Sequence, residues 1–340
     1  MVDADVIVAG GGPVGLAAAI EARLAGLSVI VCEPRSDPID KACGEGLMPG
    51  ALTALDRLGI HVDGFPFAGI RYVADGRAAD HRFRAGPGLG VRRTSLHGTI
   101  AAKARELGIN ILSTSVADIT QDANAVVAAG IRARWLLACD GLHSPIRHRL
   151  GLARTVRTPR RFGLRQHFSV EPWSEFVEVH WTPSAEVYVT PVADDLVGIA
   201  VLGDRGVDYE TAVRATAAGE RLAGADRVST LRGAGPLHQA TTKRVAGRVL
   251  LVGDAAGYVD ALTGEGIRLG LAQASAAVMA IAAGDPARYE AGWRRVTRDY
   301  RLLTTSLVSA GRRPALRRRI VPLASRLPGV YGVIVDRLAG

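Results

Sequence analysis

"ADVIVAGGGPVGLAAAIEARLAGLSVIVCE", residues 4–33, decides the fold. Its first seven residues form a short, continuous apolar run rich in valine, the pattern of a strand buried on both faces. Gly10, Gly12 and Gly15 follow at G-x-G-x-x-G spacing. Residues 14–26 then read as an alanine-rich helix with Gly26 as its stop. Residues 27–33 give a second strand that ends in Glu33. Each part has a physical reason. Gly10 permits a tight turn, Gly12 lets a pyrophosphate reach backbone N–H groups, and Gly15 lets helix and strand pack closely. The helix N-terminus offers unpaired donors and the positive end of a dipole, and Glu33 can accept ribose hydroxyls. The stretch therefore reads as a dinucleotide site; a glycine turn in an ordinary βαβ unit is the alternative.

Around it lies a chain of 340 residues, 48% hydrophobic and 22% charged, long enough for two domains or one α/β body with an insertion. No apolar run reaches the roughly 18 residues of a spanning helix. The N-terminus lacks the basic start and cleavage site of a signal peptide, so a cytoplasmic location is expected. Three cysteines, Cys32, Cys43 and Cys139, suit neither a disulfide framework nor a zinc site, and no metal is expected. The net charge of +9 comes almost wholly from arginine. With 5% aromatic residues and no RNA-binding motif, nucleic acid is not an expected partner. One basic cluster stands out at residues 311–327, where Arg312, Arg313, Arg317, Arg318 and Arg319 share a segment with Leu316, Ile320, Val321 and Leu323. Two readings stay open for it: a basic amphipathic helix resting on a membrane periphery, or a terminal helix packed on the body with its arginines in water.

Farther along, residues 60–95 and 160–235 hold several strand-like stretches, some alternating as in "FVEVHW" and "EVYVTP". Residues 96–108 read as a helix, 132–141 as a buried strand, and 247–284 as a strand, a loop with Asp254 and a long apolar helix. The expected organisation is an α/β nucleotide domain over residues 1–60, 96–158 and 240–290. A sheet-rich substrate domain over 61–95 and 159–239 interrupts it, and a helical segment, 291–340, closes the chain.

Three segments now agree: "GGGPVG" with Glu33, "CDGLHSPIR" at 139–147, and "GRVLLVGDAAGYVDALTGEGI" at 247–267. Together they resemble the fingerprints of FAD-dependent oxidoreductases of the p-hydroxybenzoate hydroxylase fold, a superfamily that includes the geranylgeranyl reductases. The resemblance implies a Rossmann-type FAD-binding domain and FAD extended across it. Gly10, Gly12 and Gly15 would hold the pyrophosphate, Glu33 the adenosine ribose and Asp254 the ribityl or ribose side, with Pro13, Arg35, Cys43, Gly44 and Gly46 also in the cofactor-binding set. Gly264, Gly266 and Ile267 would lie at the flavin ring, where the following helix can stabilise negative charge. Asp140 and Gly141 match the DG motif, and Arg93 matches an arginine that reaches FAD. Only one G-x-G-x-x-G is present, so the resemblance implies transient use of NAD(P)H at the same domain.

"DKACGEGLMPGAL", residues 40–52, puts Cys43 in a glycine-rich loop and resembles a geranylgeranyl reductase segment. Gly44 and Gly46 are expected to let a flat ring approach. Cys43 reads either as a proton donor beside the flavin or as a small buried filler. On the second sheet, Arg165 and His167, at i and i+2, could hold a phenolate oxygen; His180 and Tyr188 lie on neighbouring strands. The expected function is an NAD(P)H- and O2-dependent FAD monooxygenase acting on a small lipophilic, aromatic or polyketide-derived substrate. The alternative is a flavin-dependent alkene reductase with Cys43 as proton donor. Thr190 stands where the reductase pattern has Trp, which weakens the case for a long prenyl substrate.

Overall fold

The computed structural model describes residues 1–156 and 160–340. The expected domain boundary at residues 158/159 lies outside them. In chain order, the elements that position the site are β1 (Ala4–Ala9), α1 (Pro13–Leu24), β2 (Val29–Cys32), β3 (Gly69–Ala74), β4 (Arg77–Arg82), α2 (Arg93–Glu106), β5 (Asn110–Leu112), β6 (Ile131–Ala138), β7 (Arg161–Ser169), β8 (Phe176–Trp181), β9 (Ala185–Ala193), β10 (Leu196–Asp204), β11 (Val249–Leu251), α3 (Gly266–Ala282), α4 (Arg288–Gly311), α5 (Ile320–Arg326) and α6 (Pro328–Ala339).

The first sheet runs β11-β6-β1-β2-β5, all parallel, with short antiparallel strands added at its margins. Val6 stands opposite both Val29 and Trp135. Val6, Ile7, Val8, Leu136 and Leu137 are fully buried, as strands covered on both faces require. α1 packs against α2 and α3.

The second sheet runs β7-β10-β9-β8-β3-β4, antiparallel except where β8 meets β3. Its two faces have different fates. Val187, Val189, Ile199 and Val201 join an outer cluster with Phe168 and Tyr209. Val177, Val179, Tyr188 and Leu202 face a cavity between the two sheets. In "FVEVHW" Val177 and Val179 therefore take the cavity, while Glu178 and His180 pair with each other at 3.0 Å and do not line it. A short strand, Gly88–Gly90, of a small third sheet approaches the second sheet closely at Gly90, where a Cβ would lie 1.7 Å from the Pro191 carbonyl oxygen.

The basic segment 311–327 is not one helix. α4 ends at Gly311, a single turn spans Pro314–Arg317, and α5 begins at Ile320. Pro314 has no N–H to continue the ladder. Nor are all its arginines in water: Arg317 is buried and donates to Glu186 Oε1 at 2.6 Å and to the Ala185 and Gly311 carbonyls. α5 and α6 then pack on β4. No helix of the described residues is long and apolar enough to cross a membrane.

Candidate active site

A single cavity of about 500 Å³ starts at the turn after β1 and ends under the second sheet. Gly12, Pro13, Gly15, Arg35, Cys43, Gly44, Gly46, Arg93, Asp140, Gly141, Arg165, Asp254, Gly264, Gly266 and Ile267 all line it. Three expected site residues, Gly10, Glu33 and His167, do not.

At the turn, space is allotted by glycine. A Cβ on Gly15 would lie 1.8 Å from the Gly10 carbonyl oxygen, and one on Gly10 would lie 2.5 Å from that of Cys139. Those two positions seat α1 and β6 against β1. Gly12 differs: a Cβ there would meet nothing nearer than the Arg93 guanidinium at 3.8 Å, so its backbone faces open cavity. The first turn of α1 has no side-chain cap, which leaves donors for an anion. His97, fully buried on α2, braces the turn through Nε2 at 2.9 Å from the Gly11 carbonyl. Nothing in the sequence singled it out.

Glu33 lies just behind the cavity wall. Oε2 accepts from the Gly11 N–H at 2.8 Å, and the Arg35 guanidinium forks across both carboxylate oxygens at 2.8 Å. These hydrogen bonds hold the carboxyl below its ordinary pKa despite burial. Arg35 is thus the member of the pair that faces the cavity.

Opposite, Gly141 takes φ +85° and Asp140 Oδ2 accepts from the Ile146 N–H at 3.0 Å. Asp140 Oδ1 and Arg93 Nε are buried without a partner, and both residues border the cavity. Arg147, also fully buried, fixes this wall by donating to the Leu142, Asp254 and Ala255 carbonyls and to Gln239 Oε1. Asp254 sits in the field of Lys41 and Arg93, yet burial still raises its pKa. Burial lowers that of Lys41, whose ammonium would touch a Cβ on Gly141 at 3.2 Å. α3 also starts without a side-chain cap, and its first residues, Gly266 and Ile267, open onto the cavity.

The 40–52 loop crosses between these walls. Burial pushes the Cys43 thiol up, so it holds its proton at neutral pH. Its Sγ accepts weakly from the Glu45 N–H at 3.4 Å. Thr190 donates to the Gly44 carbonyl at 2.9 Å, so the residue that departs from the reductase pattern orients this loop. Glu45 is buried at φ +61°, a strained backbone for a non-glycine residue. Its Oε1 accepts from the Arg93 N–H at 2.8 Å and its Oε2 meets His167 Nε2 at 2.5 Å. Gly198, opposite His167 in register, leaves the room: a Cβ there would lie 3.2 Å from that oxygen.

His167 consequently does not reach a ligand. Its Nε2–H donates to Glu45, while Nδ1 accepts from Arg165 at 3.2 Å and meets Ser229 Oγ at 2.9 Å. The expectation that it grips a phenolate is corrected: Glu45 intercepts the ring, and His167 positions the Cys43 loop. Arg165 does border the cavity, but its NH2 is spent on Asp40 at 2.5 Å and on the Lys41 carbonyl. Tyr188 borders it with its hydroxyl donating to the Leu262 carbonyl at 2.6 Å. Neither Lys41 nor Glu45, both in the quoted loop, carried an assigned role in the sequence reading.

Beyond the loop the lining turns apolar, with Ile70, Phe83, Val177, Val179 and Leu202 from the second sheet and Val335, Leu338 and Ala339 from α6. Among the described residues no cluster of His, Cys, Asp and Glu could hold a metal.

The whole arrangement fits FAD. The uncapped α1 and the open face of Gly12 suit a pyrophosphate, the orphaned Asp140 Oδ1 and Arg93 Nε suit its polar edges, and the uncapped α3 suits the ring end. Residues 3–285 match the family described as FAD binding domain. The menaquinone reductase of Mycolicibacterium smegmatis is 28% identical over 87% of this chain and 81% of its own length. The digeranylgeranylglycerophospholipid reductase 1 of Methanothermobacter thermautotrophicus is 27% identical over 87% and 83%. The rifampicin monooxygenase of Streptomyces venezuelae is 32% identical over 44% of this chain and 34% of its own. Among solved structures, p-nitrophenol 4-monooxygenase from Pseudomonas putida superposes with a TM-score of 0.80, at 20% identity, over 99% of this chain and 98% of that one. A geranylgeranyl bacteriochlorophyll reductase-like protein from Thermoplasma acidophilum gives 0.81, at 18%, over 98% and 95%. The fold is therefore that of the p-hydroxybenzoate hydroxylase group, and the chain belongs to the FAD binding domain family as an FAD-dependent oxidoreductase.

Proposed function

We propose that the protein is an NAD(P)H-dependent FAD monooxygenase acting on a small lipophilic aromatic or polyketide-derived molecule. The observation that carries this reading is the continuity of the cavity: polar, glycine-lined and cationic at one end, apolar and walled by α6 at the other. The balance is substrate plus O2, NAD(P)H and a proton to hydroxylated product, water and NAD(P)+. Bound FAD supplies the electron transfer and the oxygen chemistry. The chain's own residues do the rest. Residues 1–60, 96–158 and 240–290 serve as the cofactor body, and 61–95 and 159–239 as the substrate body. Gly12, Pro13 and the start of α1 hold the pyrophosphate, Arg35 and Glu33 the adenosine side, and Lys41, Arg93 and Asp254 the middle. Gly264, Gly266 and Ile267 face the ring, with the α3 dipole stabilising negative charge there. Ile70, Phe83, Val177 and Leu202 exclude water and orient an apolar ring. We place the protein in the cytoplasm with its basic C-terminal segment at a membrane.

One observation favours a second reading, alkene reduction: the Cys43 thiol, kept protonated by burial, borders the cavity and can give its proton from Sγ. The menaquinone and digeranylgeranylglycerophospholipid relatives, each matched over 87% of this chain, are named as reductases. A single comparison separates the readings. FAD-loaded protein, NAD(P)H and a panel of phenols and alkenes are incubated with and without oxygen, and products are weighed by mass spectrometry. Oxygen-dependent gain of one oxygen atom is expected. Oxygen-independent gain of two hydrogens on an alkene substrate, lost in Cys43→Ala with flavin still bound, would establish the second reading instead.

A further inference from the structure

α5 and α6 are apolar on two sides. Val321, Tyr331, Val335 and Leu338 face the body. Leu323, Leu327, Val330 and Ile334 are all exposed, at 51%, 51%, 57% and 37%, with Val333 beside them. Val330, Val333 and Ile334 are neighbours on α6 at i, i+3 and i+4, and Leu323 and Leu327 extend the stripe along α5 to the junction, where Leu327 takes φ −123° and ψ 59°. A helix apolar all round is one that something covers on each side. The charge around the stripe says what. From residue 300 to residue 335 the chain has seven arginines and no acidic residue. Arg313, Arg318, Arg319 and Arg326 are exposed. A second copy seated on this face would bring those like charges together, whereas an anionic bilayer complements both the stripe and its rim. The inner face of the same helix, through Val335, Leu338 and Ala339, lines the cavity.

We propose that the outer stripe of α5 and α6 docks on an anionic lipid surface, so that α6 stands as the wall between bilayer and cavity and a lipophilic substrate enters beside it. The docking rests on the stripe and its charges; the entry route also rests on the reading of the cavity as a chamber for a lipophilic substrate. The contact is made by residues 313–334, with Arg317 excluded because it is buried against Glu186.

The test uses the full FAD-loaded chain and sedimentation with vesicles of phosphatidylcholine, with and without phosphatidylglycerol. Binding is expected only to the anionic vesicles and weakens as salt rises. Val330→Ser with Ile334→Ser, and separately Arg318→Gln with Arg319→Gln, are each expected to weaken it at least about tenfold. Flavin binding stays unchanged, and Met279→Ser, at an exposed apolar residue of α3, has no effect. Equal sedimentation of wild type and both double variants overturns the proposal, as does failure to bind anionic vesicles. A dimer in solution that Val330→Ser with Ile334→Ser dissolves also overturns it, by assigning the stripe to a second copy. Turnover is scored separately: a chain that binds vesicles but hydroxylates nothing sinks only the proposed reaction, and one that hydroxylates but ignores vesicles sinks only the docking.

Discussion

At the turn after β1 the cavity is shaped by backbone and by the absence of side chains; under the second sheet it is shaped by side chains from strands and from α6. At the first end the decisive contacts are those of glycine backbone on the β1–α1 turn and just past the end of β6, and its tolerance is set by hard-sphere distance. The second end depends on contacts between segments more than a hundred residues apart, such as Glu45 with His167 and Arg317 with Glu186. Its tolerance is set by charge balance and fill. The first end should therefore fail all at once, and the second by degrees.

The most severe break is Gly15→Ala. Its Cβ would sit 1.8 Å from a backbone oxygen that cannot move without parting α1 from β1. Loss of about 4 kcal/mol or more is expected, seen as a collapsed urea midpoint and no flavin absorbance after purification. Next comes Arg317→Met at the other end. It leaves the Glu186 carboxylate buried with one cation fewer, a cost of about 3–5 kcal/mol in chemical denaturation. Flavin affinity, measured by fluorescence quenching, should stay within about threefold, because no residue of the cofactor end is touched. Ala200→Leu acts only on fill. It narrows the chamber where Ala200 borders it, and the substrate KM should rise about tenfold with flavin binding intact. If flavin binding falls in parallel, the two ends are not independent.

The smallest effect is a pH dependence. Burial pushes the Glu265 carboxyl to about 7, outweighing its pairing with Arg268. A carboxyl raised in the folded state binds its proton more tightly there than in the unfolded chain. Stability from this group is therefore lost as pH climbs from about 4.3, the unfolded value, through about 7. Asp140, Asp254 and Asp260 are raised by burial too and lean the same way. Glu265→Gln should lie above wild type in melting temperature by a few degrees at pH 8 and lose that margin at pH 5. Parallel melting curves across that range would show that Glu265 stays charged throughout.

The difference between the two ends also explains what could be read in advance. The cofactor end was legible because its rules are local: an apolar run, three glycines at fixed spacing, a helix, an acid. Even there Arg35 was under-read, since only the folded chain shows its guanidinium turned back onto Glu33. Strand parity correctly put Arg165 and His167 on one face of β7. Parity does not reveal what arrives over that face, and Glu45 comes from 122 residues away to take the imidazole. Residues 311–327 read as one helix despite Pro314 within them, and burial of Arg317 was not legible, because the carboxylate that receives it lies 131 residues upstream.

Glu186 and Asp260 share the Arg161 guanidinium, and Arg317 brings the second positive charge to Glu186. Those four residues lie far apart in the sequence, with Arg317 the last of them. Without Arg317, the two buried carboxylates would share a single guanidinium inside the second sheet. The contact between Arg317 and β9 is thus also what balances the charge inside the second sheet.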